Sequence, residues 1–73
     1  MKVKEIKEGK KACVLIDCYT ATLYYPKAGQ ENQPESDCNS MDLEFEEEDE
    51  TCAVAEAVSI LGCTDADIEV SYC

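Results

Sequence analysis

Carboxylates and thiols are the groups of this 73-residue chain that could react or bind. Seventeen residues are aspartate or glutamate and six are cysteine, whereas histidine is absent. Histidine is the usual general base near neutral pH, and acid/base catalysis by two carboxylates requires that their environments differ. The sequence contains no glycine-rich phosphate loop, nucleophile elbow or metalloprotease motif. We therefore expect a protein that is not an enzyme and that needs no cofactor.

The cysteines admit three interpretations. They are Cys13, Cys18, Cys38, Cys52, Cys63 and Cys73. An even number in a short secreted chain is typical of a disulfide framework, whereas in the cytosol the same residues would be reduced thiols. No pair has the C-x-x-C spacing of zinc knuckles, so no metal site is predicted. Because the lysine-rich start lacks the apolar core of a secretory signal, we expect a cytoplasmic protein with reduced thiols. The alternatives are a disulfide-stapled secreted domain and a thiolate metal-binding protein.

Charge is segregated along the chain. All six lysines lie within residues 1–27, whereas residues 28–73 contain fourteen acids and no base, and the formal net charge is −11. Contact with nucleic-acid phosphates or anionic lipid requires lysine or arginine. No segment reaches the ~18 apolar residues of a membrane helix. We therefore expect no direct contact with nucleic acid or membrane, and a macromolecular partner would be a basic protein surface.

Many of the acids follow one alternating segment. In residues 40–46, Met41, Leu43 and Phe45 alternate with carboxylates, which predicts a strand with one core face and one acidic face. Carboxylates two residues apart on a strand are spaced by about 6.7 Å, and a DNA strand carries one charge per about 3.4 Å. Two acidic strands side by side, with the acids that follow residue 46, would approach the density of a nucleic-acid backbone.

We expect these carboxylates to bind lysine and arginine of a nucleic-acid-binding protein. The predicted binding residues are Asp42, Glu44, Glu46, Glu47, Glu48, Asp49, Glu50, Asp67 and Glu69. The alternative for the same residues is a solvated acidic surface that keeps a small protein soluble.

The first part of the chain reads as strands. Residues 2–7 suit a short edge strand with protective lysines, and residues 12–16 are a continuous apolar run typical of a covered strand. Residues 19–25 are rich in aromatic and β-branched side chains, which favour strands. The pattern leaves open whether residues 11–25 form one bent strand or two.

The second part predicts a loop, a helix and a strand. Residues 26–39 are polar with two prolines and should form a loop. A helix is expected over residues 52–61, ended by Gly62, with a core stripe of Val54, Ala57, Val58 and Leu61 widened by Ala53, Ala55 and Ile60. The last strand, residues 67–72, should turn Ile68, Val70 and Tyr72 inward. The whole chain is then one α+β domain, residues 1–73, with one helix packed on a small antiparallel sheet of about four strands in β-β-β-α-β order.

This arrangement resembles a class of small viral proteins. The acidic segment Met41 to Glu50, the alanine-rich helix and the strand from Asp67 to Tyr72 are similar to small acidic phage-encoded inhibitors of bacterial defence systems, including some anti-CRISPR proteins. Such inhibitors lack enzymatic motifs and commonly pack one helix on a short antiparallel sheet. The resemblance implies a stoichiometric inhibitor that occupies a basic nucleic-acid channel in the host cytoplasm, without a cofactor.

Overall fold

The computed structural model describes residues 1–17, 20–43 and 50–72. The strands are β1 (Ala12–Ile16), β2 (Ala21–Pro26), β3 (Cys38–Leu43) and β4 (Ile68–Tyr72), with helix α1 (Glu50–Leu61) between β3 and β4. Two short 3-10 turns, Val3–Glu5 and Asp65–Asp67, precede β1 and β4. The α+β class and the β-β-β-α-β order predicted from the sequence are confirmed.

The sheet is mixed rather than purely antiparallel. Its strand order is β3-β2-β1-β4, and β1 pairs with β2, and β2 with β3, in antiparallel fashion. Strand β4 pairs with β1 in parallel, so the expectation of an antiparallel sheet is wrong at this strand. The reason is that α1 carries the chain across the sheet from the β3 edge to the β4 edge, and strands joined by a helical crossover run in the same direction.

The core lies between α1 and one face of the sheet. Leu23 and Val14 are fully buried at its centre, and Ala53 and Ala57 of α1 are 0% exposed. Alanine carries only a methyl group, so these two positions let the helix backbone approach the sheet closely. The remaining core residues are Ala12, Ile16, Ala21, Leu43 and Ile68.

The helix stripe predicted from the sequence is therefore only partly right. Val54, Val58 and Leu61 are half-buried at the margin of the core rather than at its centre. Ala55 and Ile60 are exposed. Gly62 ends the helix as expected: its φ is +67°, a left-handed conformation that glycine adopts without strain, and its N–H donates to the carbonyl oxygen of Val58 at 2.8 Å.

The opening segment is not a strand, contrary to the expectation for residues 2–7. It forms the first 3-10 turn, and an isolated β-bridge pairs Lys2 with Asp37, the residue before β3. Residues 11–25 form two strands, β1 and β2, and the N–H of Asp17 donates to the carbonyl oxygen of Thr20 at 2.9 Å across the hairpin that joins them.

The predicted loop and the edge strands also need correction. Pro26 belongs to β2, and Cys38 and Asn39 belong to β3, so the loop is shorter than residues 26–39. Met41 and Tyr72 are 39% and 64% exposed, although both were expected in the core. They lie on the two edge strands, β3 and β4. Phe45 is outside the described residues.

Candidate protein-binding surface

The face of the sheet opposite α1 carries two of the predicted binding acids. We call this side the open face. The strand registers place Ser40, Tyr24, Cys13 and Glu69 in one row across it. A second row contains Asp42, Thr22, Leu15 and Ser71. Side chains of alternate residues share a face, so Asp42 and Glu69 point to the same side of the sheet.

The two acids stand on opposite edges of the open face. Asp42 is exposed on β3 and Glu69 is half-buried on β4, with β2 and β1 between them. With strands about 4.8 Å apart and residues about 3.4 Å apart along a strand, their Cα atoms are separated by roughly 16 Å. The two strands that carry these acids therefore do not lie side by side, because β4 pairs with β1 at the edge opposite β3.

Asp67 lies in the 3-10 turn before β4 rather than in the strand. Its Oδ2 accepts hydrogen bonds from the backbone N–H and the hydroxyl of Thr64, at 3.3 and 3.2 Å, and lies 3.8 Å from Nζ of Lys11. The backbone N–H of Thr64, followed by the charge of Lys11, holds the pKa of Asp67 below its ordinary value. This carboxylate already has an intramolecular role, which is to fix the turn that leads into β4.

Glu69 is also used within the molecule. Its Oε2 accepts a hydrogen bond from the backbone N–H of Lys7 at 3.1 Å, and this contact ties the N-terminal segment to β4. Of the predicted acids, Glu44, Glu46, Glu47, Glu48 and Asp49 lie outside the described residues, and Glu50 is the first residue of α1. Asp42 is thus the described member of the set that is exposed on a strand.

The basic residues lie outside the strands and the helix. None of the six lysines belongs to a strand or to α1, and the charged residues of those elements are all acids: Asp42, Glu50, Glu56 and Glu69. Three lysines bind the chain itself. Lys2 pairs with Asp37 at 3.3 Å, Lys11 pairs with Asp67, and Nζ of Lys10 donates to the carbonyl oxygen of Ala66 at 2.8 Å. The sheet and helix therefore present charge of one sign.

The cysteines in the described residues are thiols rather than disulfides: Cys13, Cys38, Cys52 and Cys63. Cys13 is 2% exposed on the open face, and its Sγ donates to the hydroxyl oxygen of Ser71 at 3.6 Å. Burial raises the pKa of the Cys13 thiol, and burial likewise raises that of Cys38. Within residues 1–17, 20–43 and 50–72, no group of three or more cysteines and acids is placed to hold a metal ion.

Two grooves lie at the margins of the core. One, of about 690 Å³, is bordered by the N-terminal segment and the end of α1, and its lining includes Ile6, Tyr25, Leu61 and Lys11. The other, of about 590 Å³, lies between α1 and β4 and is lined by Thr51, Val54, Ala55, Val58, Cys63, Thr64, Asp65 and Val70. The sequence pattern did not point to either groove, because each is formed where separate elements of the fold meet.

No protein-family model matches this chain, and neither a curated protein nor a solved structure matches it. Among the described residues, no helix is both long and apolar enough to span a membrane.

Proposed function

We propose that this protein is a small non-enzymatic binding protein that engages a basic surface of a partner protein. The observation that carries the proposal is the separation of charge in the fold. The four strands and α1 contribute acids and no base, whereas the lysines are confined to the N-terminal segment and the residue that follows β2. Ordinary protein surfaces mix both signs. A surface of one sign attracts an oppositely charged partner and speeds its association.

The lysine contacts support this interpretation. Lys2 and Lys11 form ion pairs with Asp37 and Asp67, so these two carboxylates already have an intramolecular partner. Asp42 is instead exposed on β3, and the run from Glu44 to Glu50 follows that strand directly in the sequence. We infer that Asp42 and this run form the principal contact with the partner, and that Asp67 and Glu69 mainly hold the fold.

The partner class follows from the density of this charge. Seven of the nine residues from Asp42 to Glu50 are acids. Such a run resembles a polyanion in its charge density, so it fits a basic surface that binds nucleic acid. We propose that the protein acts stoichiometrically, by occupying a nucleic-acid-binding surface in place of nucleic acid. The similarity to small phage-encoded inhibitors of bacterial defence is consistent with this role and suggests action in the host cytoplasm.

Charge-matched variants test the proposal. In the first variant Glu44, Glu46, Glu47 and Glu48 are replaced by glutamine, and in the control Glu8, Asp17, Glu31 and Glu35 are replaced by their amides. Each removes four negative charges, so the formal net charge changes from −11 to −7 in both. The probe is a fluorescent ten-residue lysine peptide, titrated at several salt concentrations.

We expect the first variant to bind the lysine peptide about tenfold more weakly than the natural chain, and the control to change by less than about threefold. Affinity of the natural chain should fall steeply with salt, because screening extends over a Debye length of about 10 Å at 0.1 M. Equal weakening in both variants would show that net charge alone attracts the peptide. The proposed contact would then be wrong.

A further inference from the structure

The two edges of the sheet differ in how they are covered. At the β3 edge, the N–H of Cys38 donates to the carbonyl oxygen of Met1 at 2.9 Å, and Lys2 bridges to Asp37. At the other edge, no strand of the described residues pairs with the outer side of β4. An uncovered edge presents backbone N–H and C=O groups that can pair with another strand.

The hairpin between β1 and β2 fixes which groups face which neighbour. Because the N–H of Asp17 donates to Thr20 on the β2 side, Leu15 and Cys13 also direct their backbone groups to β2. The alternate residues of β1 therefore direct theirs to β4. In a parallel ladder with the observed register, they bond to Glu69 and Ser71.

It follows that Ile68, Val70 and Tyr72 direct their backbone groups away from the sheet. The N–H of Ile68 agrees with this orientation, since it donates to the carbonyl oxygen of Asp65 in the preceding turn. The outer edge then offers the C=O of Ile68 and both backbone groups of Val70 and Tyr72, which matches the hydrogen bonds of a short antiparallel strand.

The side chains of Ile68, Val70 and Tyr72 lie on the α1 side of the sheet, and the groove between α1 and β4 lies on this same side. Val54 and Val58 of α1 line it, together with Val70 of β4. Tyr72, the last described residue of the strand, is 64% exposed on this side. A strand added to β4 would place every second side chain towards this groove and the others on the open face.

The charges select the occupant of this edge. Glu69 borders it on the open face and Asp65 lines the groove, whereas β4 and α1 contain no lysine. A second copy of the chain would bring another net charge of −11 to the same edge, and like charges facing each other across strands are destabilising. An extended basic segment would not meet this repulsion.

We propose that β4 binds an extended segment of the partner protein as an antiparallel fifth strand, with apolar residues towards the groove and basic residues beside Glu69. This inference rests on the proposed function, because it takes the basic partner as given, specifies the conformation of one partner segment and adds a second contact at the edge of the sheet opposite Asp42. The partner's apolar residues occupy the space beside Val54, Val58 and Val70, and its basic residues lie on the open face.

Backbone-methylated peptides test the pairing without altering the protein. The probe is a seven-residue peptide, Lys-Val-Lys-Val-Lys-Val-Lys. One derivative carries N-methyl groups on its three valines, whose N–H groups would bond to β4. A second derivative carries three N-methyl groups, on the two inner lysines and on the C-terminal lysine, whose N–H groups would point away from β4. We expect the first to bind about tenfold more weakly or worse and the second to change by less than about threefold.

A matched pair of protein variants tests the groove. Ala55→Lys places a cationic side chain at the groove lining, and Ser59→Lys places the same charge at an exposed position of α1 outside it. We expect Ala55→Lys to weaken binding of the unmethylated peptide about tenfold and Ser59→Lys by less than about threefold. Equal effects of the two substitutions would overturn the assignment of the apolar side chains to this groove.

A flexible Lys-Gly peptide of the same charge separates this inference from the proposed function. If it binds as tightly as the Lys-Val peptide and neither methylation matters, strand addition is wrong while attraction to a basic partner stands. If methylation of the lysines alone abolishes binding, the antiparallel arrangement is wrong. If no lysine peptide binds even at low salt, the proposed function fails together with the inference.

Discussion

The backbone N–H of Lys7 donates to Oε2 of Glu69 at 3.1 Å, across 62 positions of sequence. This bond joins the N-terminal segment, where most of the lysines lie, to the edge strand β4. Glu69 also stands beside Cys13 in the register of β1 and β4. The sequence predicts Glu69 only as part of an acidic surface, whereas in the structure this carboxylate also holds the N-terminal segment in place.

Replacing Glu69 by alanine should loosen that segment. The contact is exposed, so we expect a loss of only about 1 kcal/mol or less in the free energy of unfolding. Hydrogen exchange at the N–H of Lys7 should accelerate more than exchange at the centre of β1. Glu69→Gln is the control, since its amide oxygen can still accept the bond. If Lys7 exchanges equally fast in the natural chain and in Glu69→Ala, the bond does not persist in solution.

Asp67 should make the stability of the fold sensitive to acid. Its pKa is held below the ordinary value of 3.8, first by the backbone N–H of Thr64. A carboxylate with a lowered folded pKa stabilises the native state above its unfolded pKa, and this contribution is lost as pH falls through the folded value. Asp67→Asn should therefore be less stable than the natural chain at pH 7, and the difference should shrink below pH 3.8.

Urea unfolding from pH 2 to pH 7 measures this difference, and the carboxyl carbon chemical shift of Asp67 reports its titration directly. Asp65→Asn is the control, because it removes the same charge from the same exposed turn. A gap between natural chain and Asp67→Asn that stays constant down to pH 2 would contradict the role assigned to the Thr64 contacts.

The fold class was predictable because hydrophobic periodicity is a local property. The alternation at Met41 and Leu43 predicted a strand over residues 40–46, and β3 spans Cys38–Leu43, whereas Gly62 marked the end of α1. The direction of β4 was not predictable in this way, since parallel and antiparallel edge strands show the same alternation. It depends on the path of α1 over the sheet, which also forms the groove between α1 and β4.

The candidate site was predictable only in its sign of charge. The sequence shows that no base lies among the acids of residues 28–73. It does not distinguish a carboxylate that contacts its own chain from one that remains exposed. Asp67 and Glu69 belong to the first kind and Asp42 to the second, and this division depends on contacts with Lys11 and Lys7 from distant parts of the sequence.

The described cysteines should react with an alkylating reagent at different rates. Cys52 is exposed on α1, Cys38 and Cys63 are partly buried, and Cys13 is almost inaccessible. Burial also raises the pKa of Cys13, which reduces the fraction of reactive thiolate at pH 8. Iodoacetamide followed by peptide mass mapping should find Cys52 labelled first and Cys13 last, and urea should remove the difference. Labelling of Cys13 as fast as Cys52 in the folded protein would contradict this burial.

Leu23 is the residue whose truncation the fold should tolerate least. It is fully buried in β2, between β1 and β3, in the core cluster that includes Ala53 and Ala57 of α1, and Leu→Ala changes in such positions cost about 2–5 kcal/mol. A domain of this size has a net stability of only roughly 3–5 kcal/mol from its core. We therefore expect Leu23→Ala to be largely unfolded at 37 °C, as measured by circular dichroism during urea titration.

Thr22→Ala, on the open face of the same strand, should cost about 1 kcal/mol or less, and Leu23→Met should restore most of the loss because it keeps the side-chain volume. A Leu23→Ala protein as stable as Thr22→Ala would mean that α1 does not pack over β2.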